Sequence, residues 1–333
     1  MSETVSKDAS LSYSGQIATE NQRHKPRVSR PKPGQGVLLL AHGGPGSLDD
    51  IPSFLEHVRS RPSPASLIAE VTERYRLIGG SSPLPRITYS TAKKLAKTCG
   101  LPVYVGMRTW KPFIEDAIAQ MAADGVREGL AICLSPHYSA CSTGEYHRRV
   151  LAAAAASGIS FELVDSWHTL SPYVEGLAQD TGAVLGTLDP ARRQLAHVVF
   201  SAHSLPVSAL GPGDPYVDQL RETAELVAER LCLPAQRWTL AYQGANRSHS
   251  EWLGPSVEEV VLALADTGCR DVVLCPFGFV ADQLEVLYDL DVVLQETARE
   301  RGVVLKRAPL LNDHPPLIEA LVMLVRGWKE QQS

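Results

Sequence analysis

Two apolar runs in this chain end in the same dipeptide: V-L-L-L-A-H from Val37 to His42 and V-V-F-S-A-H from Val198 to His203. An imidazole titrates near pH ~6.5, so around neutrality it can take up a proton or offer a lone pair to a metal ion. A third segment, F-G-F-V-A-D-Q-L-E-V-L-Y-D-L-D from Phe277 to Asp291, adds carboxylates. Glu285 and Asp289 stand four apart, which on a helix puts both on one face and would make an oxygen-rich path for a hydrated divalent cation. Their neighbours Val286, Leu287 and Leu290 are apolar, so the acids must choose between solvent and a polar cleft, and a position directly after the run V-V-L-C-P favours the cleft. Taken singly, each feature has a plainer reading: a turn histidine bonded to backbone, or a solvated acidic ridge.

The segment A-H-G-G-P-G-S, Ala41 to Ser47, follows its strand with glycines that let backbone N–H groups approach an anion or an oxyanion. It lacks the G-x-G-x-x-G spacing of a dinucleotide site. H-G-G-P-G also looks like the oxyanion-hole segment of α/β-hydrolases, but such an enzyme needs a G-x-S-x-G nucleophile elbow. The nearest approach, A-C-S-T-G from Ala140 to Gly144, keeps one glycine of the two.

The elements that must position these groups alternate in the manner of a βαβ chain. Strands are expected at Val37 to Ala41, Val103 to Gly106, Leu130 to Leu134, Phe161 to Val164, His197 to Ala202, Trp238 to Tyr242, Val272 to Cys275 and Val303 to Lys306. Helical periodicity runs over Pro112 to Ala123, with Pro112 suited to the first turn, over Asp214 to Arg230, and over Pro316 to Trp328. The expected fold class is α/β: two Rossmann-like lobes, each a roughly four-stranded parallel sheet flanked by helices. We place the first lobe at 36–165, the second at 166–310 and a C-terminal helix packing back on them at 311–333. Open sheets of this kind bind ligands beyond the C-terminal ends of their strands, where both Ala-His pairs fall.

Residues 1–35 are rich in Ser, Lys, Arg, Pro and Gln and read as a flexible tail. A chain of 333 residues with 44% apolar content can bury one large or two medium cores. The formal charge of -5, with Lys and Arg scattered, offers no attraction to nucleic acid or anionic membrane, so a small-molecule partner is expected. With no apolar leader and no long apolar stretch, a soluble cytoplasmic protein without stable membrane insertion is expected. The six cysteines form no C-x-x-C pair, which suggests reduced, mostly buried thiols rather than disulfides or an iron–sulfur cluster.

In this order, these segments resemble the ferrochelatases, which insert ferrous iron into a porphyrin in heme synthesis. The resemblance runs over nearly all of 36–330. It includes I-G-G-S-S-P-L (Ile78 to Leu84), Y-V-G-M-R-T-W-K-P-F-I-E-D-A (Tyr104 to Ala117), S-P-H-Y-S-A-C-S-T-G (Ser135 to Gly144) and S-A-H-S-L-P (Ser201 to Pro206). It continues through G-D-P-Y (Gly213 to Tyr216), Y-Q-G-A-N-R with E-W-L-G-P (Tyr242 to Pro255) and the L-E-V-L-Y-D stretch. It implies two lobes with a porphyrin cleft between them, ferrous iron as a substrate and no prosthetic group. The implied partners are porphyrin and iron, with transient contacts to neighbouring heme-synthesis enzymes.

By this resemblance His203 and Glu285 form the catalytic and metal-site pair, facing each other across the porphyrin plane, with Asp289 relaying iron. Arg59, Arg74, Tyr75, Ser82, Arg108 and Tyr146 match porphyrin contacts. The chain also departs from the family. Gln283 stands where a His is usual, and Val293 where a further acid is common. His42 replaces Tyr, Asn or Met, while related cobalt and nickel chelatases carry a metal-site His in a similar segment. His42 is therefore a second imidazole on the His203 side, a proximal metal ligand, or a neutral spacer against the ring. The segment His57 to Pro64 is short and lacks the apolar lip of membrane-associated relatives, which points to coproporphyrin III as the ring, with protoporphyrin IX, or a cobalt or nickel tetrapyrrole reaction, as alternatives. A non-catalytic porphyrin carrier fits less well, since storage needs no proton acceptor opposite an acid.

Overall fold

The computed structural model describes residues 34–245 and 251–332. Eight short apolar runs become strands: β1 Gln35–Ala41, β2 Val103–Met107, β3 Glu128–Cys133, β4 Ser160–Val164, β5 His197–His203, β6 Trp238–Gln243, β7 Asp271–Cys275 and β8 Val304–Arg307. They form two four-stranded sheets in the orders β2-β1-β3-β4 and β6-β5-β7-β8. Every pairing is parallel. Because parallel neighbours need helical crossovers on the sheet faces, the central strands are buried on both sides, and β1 and β5 are nearly continuous in Val, Leu and Phe.

The two sheets repeat one topology, and β1 and β5 occupy the same place in it. Each has its first crossover partner on one side and a later strand on the other, so the strand order reverses beside it. A crevice opens at such a reversal, and the strands ending in Ala-His are the ones that abut it. The repeated dipeptide thus reflects a repeated position in the fold.

One continuous core joins the halves: Val37, Leu39 and Val105 of the first sheet share it with Val198, Phe200 and Val273 of the second. The C-terminal helix Pro315–Gln331 packs on both Leu84–Cys99 and Ser171–Gly186, contributing Leu321, Val325 and Trp328 to that core. All six cysteines are free; Cys99, Cys133 and Cys275 are buried, whereas Cys232 is exposed.

Two helix starts differ from expectation. Pro112 lies outside its helix, which runs Ile114–Ala123, because the Pro112 carbonyl accepts from Met107 N at 2.8 Å and so extends the edge of β2. The helix is opened instead by Asp116, whose carboxylate accepts from Phe113 N at 3.1 Å. Likewise Asp214 is not in the helix Tyr216–Arg230 but caps it, accepting from Tyr216 N at 3.1 Å.

The acidic segment departs most. Glu285–Leu294 is a π-helix, in which backbone bonds close one residue later than in an α-helix. Val286, Leu290 and Leu294 fall on one face and enter a core with Val272, Leu274 and Leu305. Glu285, Asp289 and Val293 make the adjacent stripe. Leu284, at its start, packs with Ile51, Leu55, Val71 and Tyr75 of the first half.

Candidate active site

A cleft of about 210 Å³ opens between the C-terminal ends of the two sheets, lined by His42, Arg108, Cys141, Tyr146, His203, Tyr216, Phe279, Gln283 and Glu285 among others. His203 closes β5. Its Nδ1 lies 2.5 Å from the Ser204 carbonyl, which can only accept, so Nδ1 carries the hydrogen and Nε2 is directed away. Tyr216 fixes the same strand end by donating its hydroxyl to the His203 carbonyl at 2.8 Å, and Phe279 meets the imidazole edge to face at 6.0 Å.

The Nε2 of His203 faces Oε2 of Glu285 at 3.4 Å. Van der Waals contact needs about 3.5 Å on each face of a flat ring, so a macrocycle between two groups would hold them about 7 Å apart. The pair therefore stands on one side of the cleft rather than astride a ring plane. With Nδ1 protonated, a neutral His203 would aim a lone pair at a carboxylate, and the gap calls for a cation, either a proton or a metal ion. Glu285 Oε2 is buried and has no hydrogen-bond partner among the described residues. Gly244, at φ +72°, leaves the room: a Cβ there would sit 3.1 Å from His203 Cε1 and 3.3 Å from Glu285 Oε2.

The electrostatics follow from that juxtaposition. Burial works against charge on His203, but the Glu285 carboxylate, the Ser204 carbonyl and Asp289 outweigh it and raise the imidazole above its ordinary value. Burial likewise works against charge on Glu285, and His203 overcomes it, holding the carboxyl below the usual range. Asp289 is pushed up to about 6, first by burial and then by Glu285. His42 falls to about 4, through burial and the nearby Arg108 guanidinium, so it is neutral wherever its neighbour pair is poised to hold a proton. Two histidines on equivalent strand ends thus have opposite proton affinities.

The other expected residues divide. Arg108 lines the cleft with its guanidinium 5.1 Å over the Tyr146 ring, and Tyr146 lines it beside Cys141. Ser82 lies behind the His42 loop: its backbone N–H donates to Pro45 at 2.9 Å, and a Cβ on Gly44 would come within 2.5 Å of its Oγ. Tyr75 is buried beside Glu285. Arg74 pairs with Glu70 at 2.5 Å and lies 5.4 Å over Tyr288, alongside the acidic stripe rather than on the cleft wall. Arg59 bonds Ser63 at 3.1 Å, and Ser82, Tyr75, Arg74 and Arg59 are not among the cleft-lining residues. Val293, at the outer end of the stripe, is 46% exposed, so the acidic ridge ends in an apolar surface residue. Asn246 and Arg247 of the Y-Q-G-A-N-R motif lie outside the described residues.

Tyr216, Phe279, Gly244 and Thr109 were not singled out by residue type. Tyr216 carried a signal in G-D-P-Y, since an aspartate before a proline marks the helix start that aims the tyrosine at β5. Gly278 carried one too: a Cβ there would lie 2.6 Å from Ala202 Cα, so only glycine lets the turn bearing Phe279 approach β5. Gly278→Ala is expected to cost about 1–3 kcal/mol by overpacking against backbone. A thermal unfolding curve checks this; an unchanged midpoint would refute the close approach.

Residues 34–328 match the family model described as Ferrochelatase. A ferrochelatase of Deinococcus radiodurans is 41% identical over 299 residues, covering 87% of this chain and 94% of that protein. A coproporphyrin III ferrochelatase of Geobacillus thermodenitrificans is 37% identical over 300 residues, covering 87% and 94%. Among solved structures, SirB from Bacillus subtilis with Fe3+ is similar at a TM-score of 0.55 and 13% identity, covering 88% of this chain and 94% of that one. At that identity the likeness concerns the fold alone.

Proposed function

Since the chain belongs to the ferrochelatase family and is a metal chelatase, we propose that it inserts ferrous iron into coproporphyrin III. The observation that carries this is the His203–Glu285 gap of 3.4 Å, a ready cation position at the wall of the cleft. Relatives named coproporphyrin III ferrochelatase, at 35% to 37% identity, support the choice of ring. So does the His57 to Pro64 stretch, which is mostly exposed and polar where a membrane-facing lip would be apolar.

The residues divide the work by type. Glu285 and Asp289 give a borderline-hard ferrous ion oxygen ligands that exchange readily with water. His203 takes one of the two protons that the pyrrole nitrogens release as the metal enters, Glu285 stabilises the resulting imidazolium, and handing that proton to solvent frees Nε2 for the second. Arg108 at the cleft wall offers a guanidinium to a ring carboxylate. Among the described residues no helix is long and apolar enough to cross a membrane, in keeping with action on a soluble, carboxylate-rich porphyrin.

The test is anaerobic incubation with ferrous ion and either coproporphyrin III or protoporphyrin IX, followed by absorbance. A higher kcat/KM with coproporphyrin III is expected. Preference for protoporphyrin IX would overturn the choice of ring, and no iron insertion with either would overturn the chelatase reading.

Asp289 gives this reading a pH signature. Below about 6 it loses its charge and the cation path loses attraction for iron, while protonation of His203, whose affinity for a proton is raised, removes the base. Both changes act in the same direction, so kcat/KM for iron should fall on the acid side more steeply than one proton allows. In Asp289→Asn the fall should flatten to one proton. Superimposable profiles for the two proteins would remove Asp289 from the path.

A further inference from the structure

We infer that Thr109 is a positioning residue: its side-chain oxygen, together with the Gly43 carbonyl, locks His42 in the Nδ1–H tautomer and presents the Nε2 lone pair to the cleft. This rests on the proposed chelatase function for its consequence, though not for its geometry.

Three contacts decide the tautomer. The Thr109 hydroxyl lies 2.7 Å from the His42 carbonyl, an oxygen that can only accept. A hydroxyl has one hydrogen, so that hydrogen is committed there. The same Oγ1 is 3.2 Å from His42 Nδ1 and must therefore act as an acceptor toward it. The Gly43 carbonyl, also 3.2 Å from Nδ1, is a second obligate acceptor. Two acceptors at one ring nitrogen require N–H at Nδ1 and leave Nε2 unprotonated.

The fold supplies these acceptors deliberately. Thr109 follows β2, is 7% exposed, and is registered by its own N–H, which donates to the His42 carbonyl at 2.9 Å. Gly43 has φ +94°, and a Cβ on it would lie 3.0 Å from both Trp110 N and Trp110 Cβ. Only glycine turns its carbonyl back onto the ring of His42 under those constraints. His203 uses half of the same device, the carbonyl of its successor Ser204, and among the described residues no hydroxyl contacts its Nδ1.

The consequence is an acceptor-only nitrogen on the wall contributed by the first sheet. Among the described residues no three His, Cys, Asp or Glu side chains converge as a metal site, so His42 is not preassembled with His203 and Glu285 as a three-ligand set. It meets the cleft contents separately, as a lone pair for a bound metal that has already entered a ring. Groups that orient a ligating histidine typically control about 10–100-fold in metal affinity.

The experiment is nitrogen-15 NMR of the full-length protein at neutral pH, with the His42 resonances assigned by their loss in His42→Phe, on wild type, Thr109→Ser and Thr109→Val. Binding of ferric coproporphyrin III by the same proteins is read by absorbance titration. Wild type and Thr109→Ser should show a protonated Nδ1 and bare Nε2. Thr109→Val, left with only the 3.2 Å Gly43 contact where His203 has a 2.5 Å one, should show mixed tautomers and about tenfold weaker binding. An Nε2–H tautomer in wild type, or Thr109→Val spectra and affinity identical to wild type, overturns the inference. The expected tautomers in a protein that inserts no iron would overturn the chelatase reading and leave the Thr109 assignment standing.

Discussion

His203→Ala is expected to lower iron insertion by about 100- to 10,000-fold, the range in which a positioned general base contributes to a proton-transfer step. The imidazole is about one-third exposed into the cleft, at 31%, and its backbone is held independently by Tyr216 and by the β5 pairings, so removing the side chain leaves the strand end in place. Glu285→Gln should reach a similar loss by a different route. The amide keeps the shape and the packing, removes the charge that raises the affinity of His203 for a proton, and supplies a poorer oxygen to iron. Because the two groups share one cation position, the double variant should be scarcely worse than either single one. Steady-state rates with unchanged thermal midpoints would confirm this. Losses that multiply in the double variant would mean that the two side chains act at separate steps.

The parts of this arrangement that the sequence made legible are those written in local pattern. All eight strands are bounded apolar runs, and both Ala-His endings fall at strand ends because a buried parallel strand stops where polar chemistry begins. The strand order was not legible, since crossover choice depends on helix packing between distant segments. Nor was the relation of His203 to Glu285. They are separated by two strands and two helices, Tyr216–Arg230 and Val257–Asp266, and the turn at Gly278, not any spacing, decides that both stand on one side.

The π-helix left no signal in residue spacing. Apolar residues four apart suit one face of an ordinary α-helix, and Val286, Leu290 and Leu294 enter one core in the wider helix as well. Pro112 misled for the converse reason: a proline suits a first helical turn, but here the Met107 N–H claims its carbonyl for the sheet edge. Arg74, Tyr75 and Ser82 sit off the cleft lining because long-range contacts, invisible in sequence, hold them elsewhere: Arg74 over Tyr288, Tyr75 packed with Leu284, and Ser82 by its N–H on the Pro45 carbonyl.

Arg307→Met should be the most destabilising charge substitution near the site, at about 2–4 kcal/mol, just under the usual cost of breaking a fully buried pair. Arg307 ends β8, and its guanidinium grips Asp291 of the π-helix through Nε at 2.6 Å and Nη2 at 2.8 Å. It also lies 3.8 Å from Asp282, which Asn312 ties down by donating to its carboxylate at 2.8 Å. One side chain therefore joins a strand, the π-helix and the loop that leads from Phe279 to Glu285. Burial disfavours its charge, yet the carboxylates of Asp291 and Asp282 hold the guanidinium more firmly protonated than usual. Methionine fills much of the volume and leaves two partly buried carboxylates facing each other without a cation. Chemical denaturation should report the loss, and Asp291→Asn added to Arg307→Met should restore part of it by removing one stranded charge. Iron insertion at temperatures where the variant stays folded should fall about tenfold, because a helix freed at Asp291 no longer fixes Glu285 against His203. A stability change under about 0.5 kcal/mol, within the range of an ordinary surface substitution, would show that apolar packing of Val286, Leu290 and Leu294 alone sets the register of the acids.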